Sequence, residues 1–329
     1  MNRMSEVGNG PASEQQTAAN MRQMVKMVMG FGVTQIVSSV AALSIADELA
    51  KGPATAAEIA SHCATDPDAT LRLLRACVSL DLVVADNQLR FAPTPLLDTL
   101  RRDTPGSLRG LAISQGAPGH WLPFGRLVDA ITTGSRQTLN TLGKEIWEYY
   151  KDNWDEGAEF SAAMSGMTAT VSQEAAAVLD TRSFEVAADI GGSGGALVHA
   201  FMEANPLLRG ILFDLPEVVA PASTAPLWQG MRDRFSAVGG DFLTSVPEAD
   251  LYLLKYILHD WDSPSCIRIL DNCRRSLRPG GRIVVIEQHL GEIDDPGRGA
   301  IIDVHMLVML PGHMSGSRVL EMAAGQHVR

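Results

Sequence analysis

The feature that most constrains this chain is a change of period near residue 184. From there on, short apolar runs alternate with helical segments. "FEVAADI", "GILFDL", "FSAVGGD", "ADLYLLKY" and "RIVVIE" read as strands. "ALVHAFMEANP", "PEVVAPASTAPLWQGM" and "SPSCIRILDNCRRSL" lie between them, and "RPGG" reads as a turn before the last strand. Repeated β–α alternation has one compact solution, a parallel sheet with helices on both faces. The expected fold class is therefore α/β, and ligands of such sheets gather at the carboxyl ends of the strands.

Each strand end carries a candidate group. "ADIGGSGGALV" joins the first strand to its helix, so backbone at Gly191 and beyond can approach a ligand closely and the helix start favours an anionic group. The spacing misses the dinucleotide fingerprint, because Leu197 stands where a third glycine belongs, and Asp189 precedes the glycines. A nucleoside without a pyrophosphate fits better. Asp214 ends "ILFDLP", 20 residues after Gly194, where an acid reaches a ribose diol. Asp241 and Phe242 in "GGDFL" put a carboxylate beside an aromatic ring, a pairing that suits an adenine. "LLKYILHDWD" then delivers Lys255, His259, Asp260 and Asp262 within a few residues. Asp260 and Asp262 are expected to serve the turn and the next helix, with Ser263 as its cap and Pro264 in its first turn.

Upstream, residues from about 20 to 50 read as helical throughout. Thr55 with Glu58 forms a capping box, Pro67 starts a second helix with Leu71, Leu74 and Val78 on one face, and two short strands flank Asp86-Asn87. Helix, helix, hairpin is the outline of a winged helix. Its second helix carries only Arg72 and Arg75 among Asp66, Asp68 and Asp81, which favours packing or dimerisation over DNA binding. "RRDTPGS" (101–107) reads as a linker. Residues 108 to about 180 are mostly helical and carry Trp121, Phe124, Trp147, Tyr149, Phe160, Met164 and Met167, a core stripe that could also wall an aromatic pocket.

Composition narrows the partners. A net charge of −11 disfavours nucleic acid. Cys63, Cys77, Cys266 and Cys273 show no zinc spacing and fit a reducing, cytoplasmic setting. The uncharged 20-residue run Met27–Ala46 has the length of a membrane span. Its Gln35, Thr34, three serines and two glycines instead suggest a helix buried in protein or between subunits, so no membrane partner is expected.

In this order and spacing, "DIGGSGG", "FDLP", "GGDF", "LLKYILHDW" and "RIVVIE" resemble the small-molecule O-methyltransferases that use S-adenosylmethionine. The branch they resemble is the plant caffeate-type and hydroxyindole-type family, which also occurs in bacterial secondary metabolism and antibiotic biosynthesis. The resemblance implies a Rossmann-like class I methyltransferase sheet over 108–329, including linker helices, and a dimerisation domain over 1–107 that makes a homodimer through N-terminal helices. It implies S-adenosylmethionine as methyl donor, no metal, and an aromatic, phenolic acceptor. Gly191 and its loop would hold the methionine part of the cofactor, Asp214 the ribose, Asp241 and Phe242 the adenine, and Lys255 would line the same pocket. His259 would be the general base and Glu287 the acid that orients it; His289 and His305 are further candidates to line the cleft. The chemistry is coherent: a phenol near pKa ~10 is little ionised at neutral pH, and a histidine near ~6.5 can take its proton as the oxygen attacks.

The chain departs from the family after residue 310. "PGHMSGSRVLEMAAGQHVR" lacks the acid-Arg-Thr signature and the closing "A-G-F" helix, and its only acid is Glu321. The sheet is therefore expected to lack its last two strands, and the second acid beside the histidine has no assignable counterpart. A truncation, a frameshift near codon 311 or a divergent end each account for this. Two further readings stand beside methylation: the same fold and cofactor used for hydroxylation, decarboxylation or cyclisation, or an inactive member acting in binding or regulation.

Overall fold

The computed structural model describes residues 14–167, 169–287, 297 and 299–311. Their contacts divide them into two compact units that meet in sequence at Thr104 and Pro105.

The first unit opens with three helices, α1 (Glu14–Val28), α2 (Gly30–Ala42) and α3 (Ile45–Leu49). The single helical stretch expected from sequence is thus broken twice. The chain bends by 43° between α1 and α2, where Met29 meets Gly30, and Ser44 adopts a left-handed φ of 57° before α3. No single described helix is long and apolar enough to cross a membrane, although α1 and α2 pass that test together by length and composition. The expected burial of this run is met in its second half, where Val40, Ala41, Ile45 and Ala46 are buried, and not in its first, where Met27, Val28 and Phe31 are all more than half exposed.

The winged-helix outline is present. β1 (Ala54–Thr55), α4 (Ala56–Cys63), α5 (Pro67–Ser79), β2 (Val83–Ala85) and β3 (Arg90–Pro93) precede a short α6 (Pro95–Asp98). The three strands form an antiparallel sheet in the order β1-β3-β2. Thr55 and Glu58 make the reciprocal capping box that starts α4. Asp86 closes the hairpin by accepting the Gln88 and Arg90 N–H groups at 2.8 and 2.9 Å. The buried face of α5 is Thr70, Leu74 and Cys77 rather than Leu71, Leu74 and Val78. Both stripes have helical spacing and share Leu74, so periodicity alone did not separate them.

The second unit begins with seven helices: α7 (Arg109–Gly116), α8 (Pro118–Phe124), α9 (Leu127–Thr133), α10 (Thr138–Leu142), α11 (Ile146–Asp152), α12 (Trp154–Met167) and α13 (Ala169–Val178). Then come β4 (Val186–Ile190), α14 (Ala196–Ala204), β5 (Arg209–Asp214), α15 (Pro216–Ala222), β6 (Phe235–Gly239), β7 (Ala249–Lys255), α16 (Ser263–Ser276), β8 (Leu277–Ile286) and α17 (Gly299–Met309). All five strands pair in parallel, in the order β6-β5-β4-β7-β8. Successive strands spread outward from β4 to both sides, so β4 and β7 meet at the switch point where ligands of open α/β sheets bind.

Every residue of β4 is buried, as in a strand covered on both faces. Side chains alternate between two cores. Ala188, Ile190, Tyr252 and Leu254 pack with Cys266, Ile269 and Cys273 of α16 on one face. Ala187, Leu212, Leu251 and Leu253 pack with Leu197 and Phe201 of α14 and with Trp228 on the other.

Two local expectations change. "RPGG" is part of β8 rather than a turn before it. Ala249 pairs with Leu277 and Leu251 with Arg282, so the strand absorbs the extra residues in a bulge with Gly280 at φ +81°. The cap of α16 is Asp262, whose Oδ1 accepts the Ser265 N–H at 2.9 Å, while Ser263 is already helical. The four cysteines are all free thiols. Residues 312–329, where the missing strand pair was expected from sequence, and His289 lie outside the described residues.

Candidate active site

Strand register brings the polar ends together. Asp189 stands opposite Leu253 and Ile190 opposite Phe213, Asp214 pairs with Gly239, and Lys255 pairs with Ile286. Gly191, Asp214, Asp241, Lys255, His259 and Glu287 thus follow or close five adjacent strands at one edge. A cavity of about 790 Å³ opens there, within the range of small-molecule sites. All the site residues expected from sequence line it except Glu287, which reaches it through His259.

The glycine loop is shaped by close approach. Gly191 has φ +68°, and a Cβ there would collide with Ile257. A Cβ on Gly192 would lie 2.6 Å from Leu212 Cδ1 and 2.7 Å from Asp189 Cγ. Ser193 holds a left-handed φ of 51°, and its buried Oγ has no hydrogen-bond partner. Its N–H donates to Asp214 Oδ2 at 2.8 Å, and Leu215 N–H donates to Oδ1 at 2.7 Å. Burial pushes the Asp214 carboxyl upward against those two donors.

Asp241 Oδ1 accepts the Leu243 N–H at 2.8 Å, and the Phe242 ring meets the edge of Trp261 at 5.5 Å. Asp189, noted in sequence without a role, is fully buried and accepts the Val198 N–H at 3.2 Å. Burial raises its pKa to about 7 against the pull of Lys255, and burial lowers that of Lys255 against the pull of Asp189. The two therefore belong to one electrostatic pair beneath the loop. Open glycine backbone, an orphaned buried hydroxyl and a carboxylate fixed by two N–H groups fit a nucleoside-bearing cofactor.

His259 lies in a short 3-10 turn, Leu258–Asp260, just beyond β7. Its Nδ1 is 2.5 Å from Glu287 Oε2, while Glu287 Oε1 accepts the Leu258 N–H at 3.0 Å. Cys266 Sγ donates to the Leu258 carbonyl at 3.1 Å, pinning the turn to α16. The imidazole's other nitrogen, Nε2, is 3.2 Å from Asp260 Oδ1. This corrects the expectation for Asp260: it does not merely serve the turn but faces the His259 imidazole from the opposite side to Glu287. Burial opposes charge on His259, but the Asp260 and Glu287 carboxylates outweigh it and hold the pKa at about 9. Burial lifts Asp260 to about 6 despite the imidazole beside it.

Sequence reasoning missed other groups here. Tyr256 has a left-handed φ of 58°, and its ring lies 5.8 Å from His259. Of the helical Trp, Phe and Met stripe, Trp147, Phe160 and Met164 line the cavity together with His120 and Tyr150, which no sequence pattern singled out. His305, on α17, was not missed: it is one of the two further candidates from sequence, and it lines the cavity as well.

Comparison with known proteins bears on the family and the fold. Residues 124–323 match the O-methyltransferase domain, and residues 25–103 match the O-methyltransferase dimerisation domain. The first match continues past Pro311, into the segment read from sequence as departing from the family. The chain is 33% identical to phenazine O-methyltransferase PhzM of Lysobacter antibioticus, over 87% of this chain and 84% of that protein. It is also 33% identical to 3-amino-4-hydroxybenzoate 4-O-methyltransferase of Streptomyces cremeus, over 88% and 80%. It superposes on human N-acetylserotonin methyltransferase in complex with S-adenosylmethionine with a TM-score of 0.84 at 27% identity, covering 97% and 93% of the two chains. Fold and sequence agree: the chain belongs to the O-methyltransferase family, a family of S-adenosylmethionine-dependent enzymes.

Proposed function

We propose that this chain methylates a hydroxyl oxygen of an aromatic, phenolic acceptor in secondary metabolism, with S-adenosylmethionine as donor and His259 as general base. One arrangement carries the reading: an imidazole gripped by two carboxylates in the cavity that also receives the glycine loop and Asp214. The two relatives above, by their names, methylate oxygen on aromatic compounds.

When bound, S-adenosylmethionine would supply an electrophilic methyl group on a sulfonium, whose S–CH3 bond breaks as the new O–CH3 bond forms and whose sulfur leaves as the neutral thioether of S-adenosylhomocysteine. Gly191 and its loop would hold the methionine end, Asp214 the ribose hydroxyls, Asp241 and Phe242 the adenine, and Lys255 would wall the same space. His259 Nε2 accepts the hydroxyl proton as the acceptor oxygen attacks. Glu287 keeps the proton on Nδ1 and stabilises the imidazolium that results. Fixing both reactants in one cavity supplies much of the acceleration. An imidazolium cannot accept a proton, so catalysis runs through the neutral fraction of His259, which grows with pH.

We assign residues 1–107 to dimerisation and 108–329 to linker helices and catalysis. The exposed Met24, Met27 and Phe31 would be covered by a second copy of the chain. Four free thiols fit a cytoplasmic setting. Calorimetry with S-adenosylmethionine and labelled-methyl transfer to a panel of phenols test the reading. His259→Ala is expected to abolish most transfer and to leave cofactor binding in place; an unchanged rate would remove His259 from the mechanism.

A further inference from the structure

The cavity carries polar groups that methyl transfer does not use. His120, on α8, is buried, and its Nδ1 lies 3.2 Å from the Tyr150 hydroxyl. Its ring stacks on Phe160 at 5.5 Å. His305, on α17, faces His120 with ring centroids 5.3 Å apart and packs 5.2 Å from Phe124. His120, Tyr150, Phe160 and His305 all line the cavity that contains His259.

Burial pushes His120 to about 3, helped by the neighbouring His305, and burial alone pushes His305 to about 4. Burial also raises Tyr150, which stays a phenol. Both histidines are therefore neutral imidazoles, each with one donor and one acceptor nitrogen. His120 is already committed, to Tyr150 and to the backbone at Ser114. It acts as a fixed platform. His305 makes ring contacts but no hydrogen bond among the described residues, and α17 presents it to the cavity with Ile302, Met306 and Met309.

We propose that His305, seated on the His120–Tyr150 pair, donates a hydrogen bond to a second, uncharged group of the acceptor: a ketone or quinone carbonyl, or a pyridine-type ring nitrogen. The inference rests on the proposed function and narrows its acceptor class. An apolar, aromatic surround penalises an ionised group that would have to shed its water there. Hydroxylated quinones, aryl ketones and nitrogen heteroaromatics then fit this wall better than hydroxyarenes bearing a carboxylate.

A matched set of naphthalene-sized probes tests this: 2-naphthol, 6-hydroxyquinoline, 6-hydroxy-1,4-naphthoquinone and 6-hydroxy-2-naphthoate, each in labelled-methyl transfer at saturating cofactor. The wild type is expected to favour the quinoline and the quinone over 2-naphthol and the carboxylate by roughly tenfold in kcat/KM, the worth of one well-made hydrogen bond. His305→Phe should erase that preference, read as the ratio of each probe's kcat/KM to that of 2-naphthol, and His305→Gln should restore part of it. A wild type without the preference, or an equal loss on every probe in His305→Phe, would overturn the inference while methyl transfer itself stands. Transfer to none of the phenols by the wild type would overturn the proposed function, and this inference with it.

Discussion

Glu287 holds His259 by two independent handles. One carboxylate oxygen meets Nδ1 at 2.5 Å, and the other accepts the Leu258 backbone N–H at 3.0 Å. The acid therefore fixes both the ring's tautomer and the turn that carries it. Glu287→Gln keeps the shape and removes the charge that stabilises the imidazolium. The expected result is a kcat lower by roughly 10²- to 10³-fold, with cofactor affinity by calorimetry within about twofold of wild type.

The pH dependence follows from the two carboxylates on one imidazole. With His259 held near 9, kcat/KM for a phenol should climb with pH and level off above about 9. Asp260→Asn removes one carboxylate, so the climb should move to lower pH. Stability moves with opposite sign. Folding raises this pKa above the ordinary 6.5, so the imidazolium's contribution is complete below that value and is lost as pH rises through about 9. Melting curves of wild type and His259→Gln between pH 6 and 10, a range set by these pKa values, should converge at the alkaline end.

Gly192 leaves no room for a side chain. An alanine Cβ would press on Leu212 and on the Asp189 carboxyl at 2.6 and 2.7 Å. Gly192→Ala should cost about 1–3 kcal/mol of stability and weaken S-adenosylmethionine binding by roughly tenfold or more. Denaturant melts and calorimetry read the two effects separately.

Trp228 anchors the core beneath the loop. It is fully buried, stacks on Phe235 at 3.5 Å and donates from Nε1 to the Ala222 carbonyl at 2.8 Å. Trp228→Ala should cost about 3–5 kcal/mol in urea unfolding, because it removes both a large apolar volume and a satisfied donor.

The exposed apolar face of α1 and α2 gives the dimerisation proposal a direct check. A Met27→Glu, Phe31→Glu double variant should elute and scatter light as a monomer where the wild type is a dimer. A wild type that is itself monomeric at micromolar concentration would count against the proposal.

Much of the site was legible because parallel strands bury everything except their ends. A polar residue that closes an apolar run, such as Asp214 or Glu287, announces its position in one dimension. Asp260 was misread because adjacency to His259 does not say where either side chain points. The 3-10 turn Leu258–Asp260 curls both into the same space. Asp262 and Ser263 are both good caps, and only the observed helix start separates them. His120 and Tyr150 were invisible because they lie 30 residues apart on short helices with no long periodic stripe. Their meeting is a product of tertiary packing.

The cavity has walls of two origins. Turns at the strand ends carry the glycine loop, Asp214 and His259, the last tied down by Glu287, Cys266 and the Asp262 cap. Separate helices, α8, α11, α12 and α17, supply the facing aromatic and imidazole side chains. Because the two walls are encoded in different stretches of chain, substitutions can accumulate in one without touching the other. A gene with this layout can drift toward new acceptors while its reaction stays fixed, and a designer can shuffle the helical wall as a cassette.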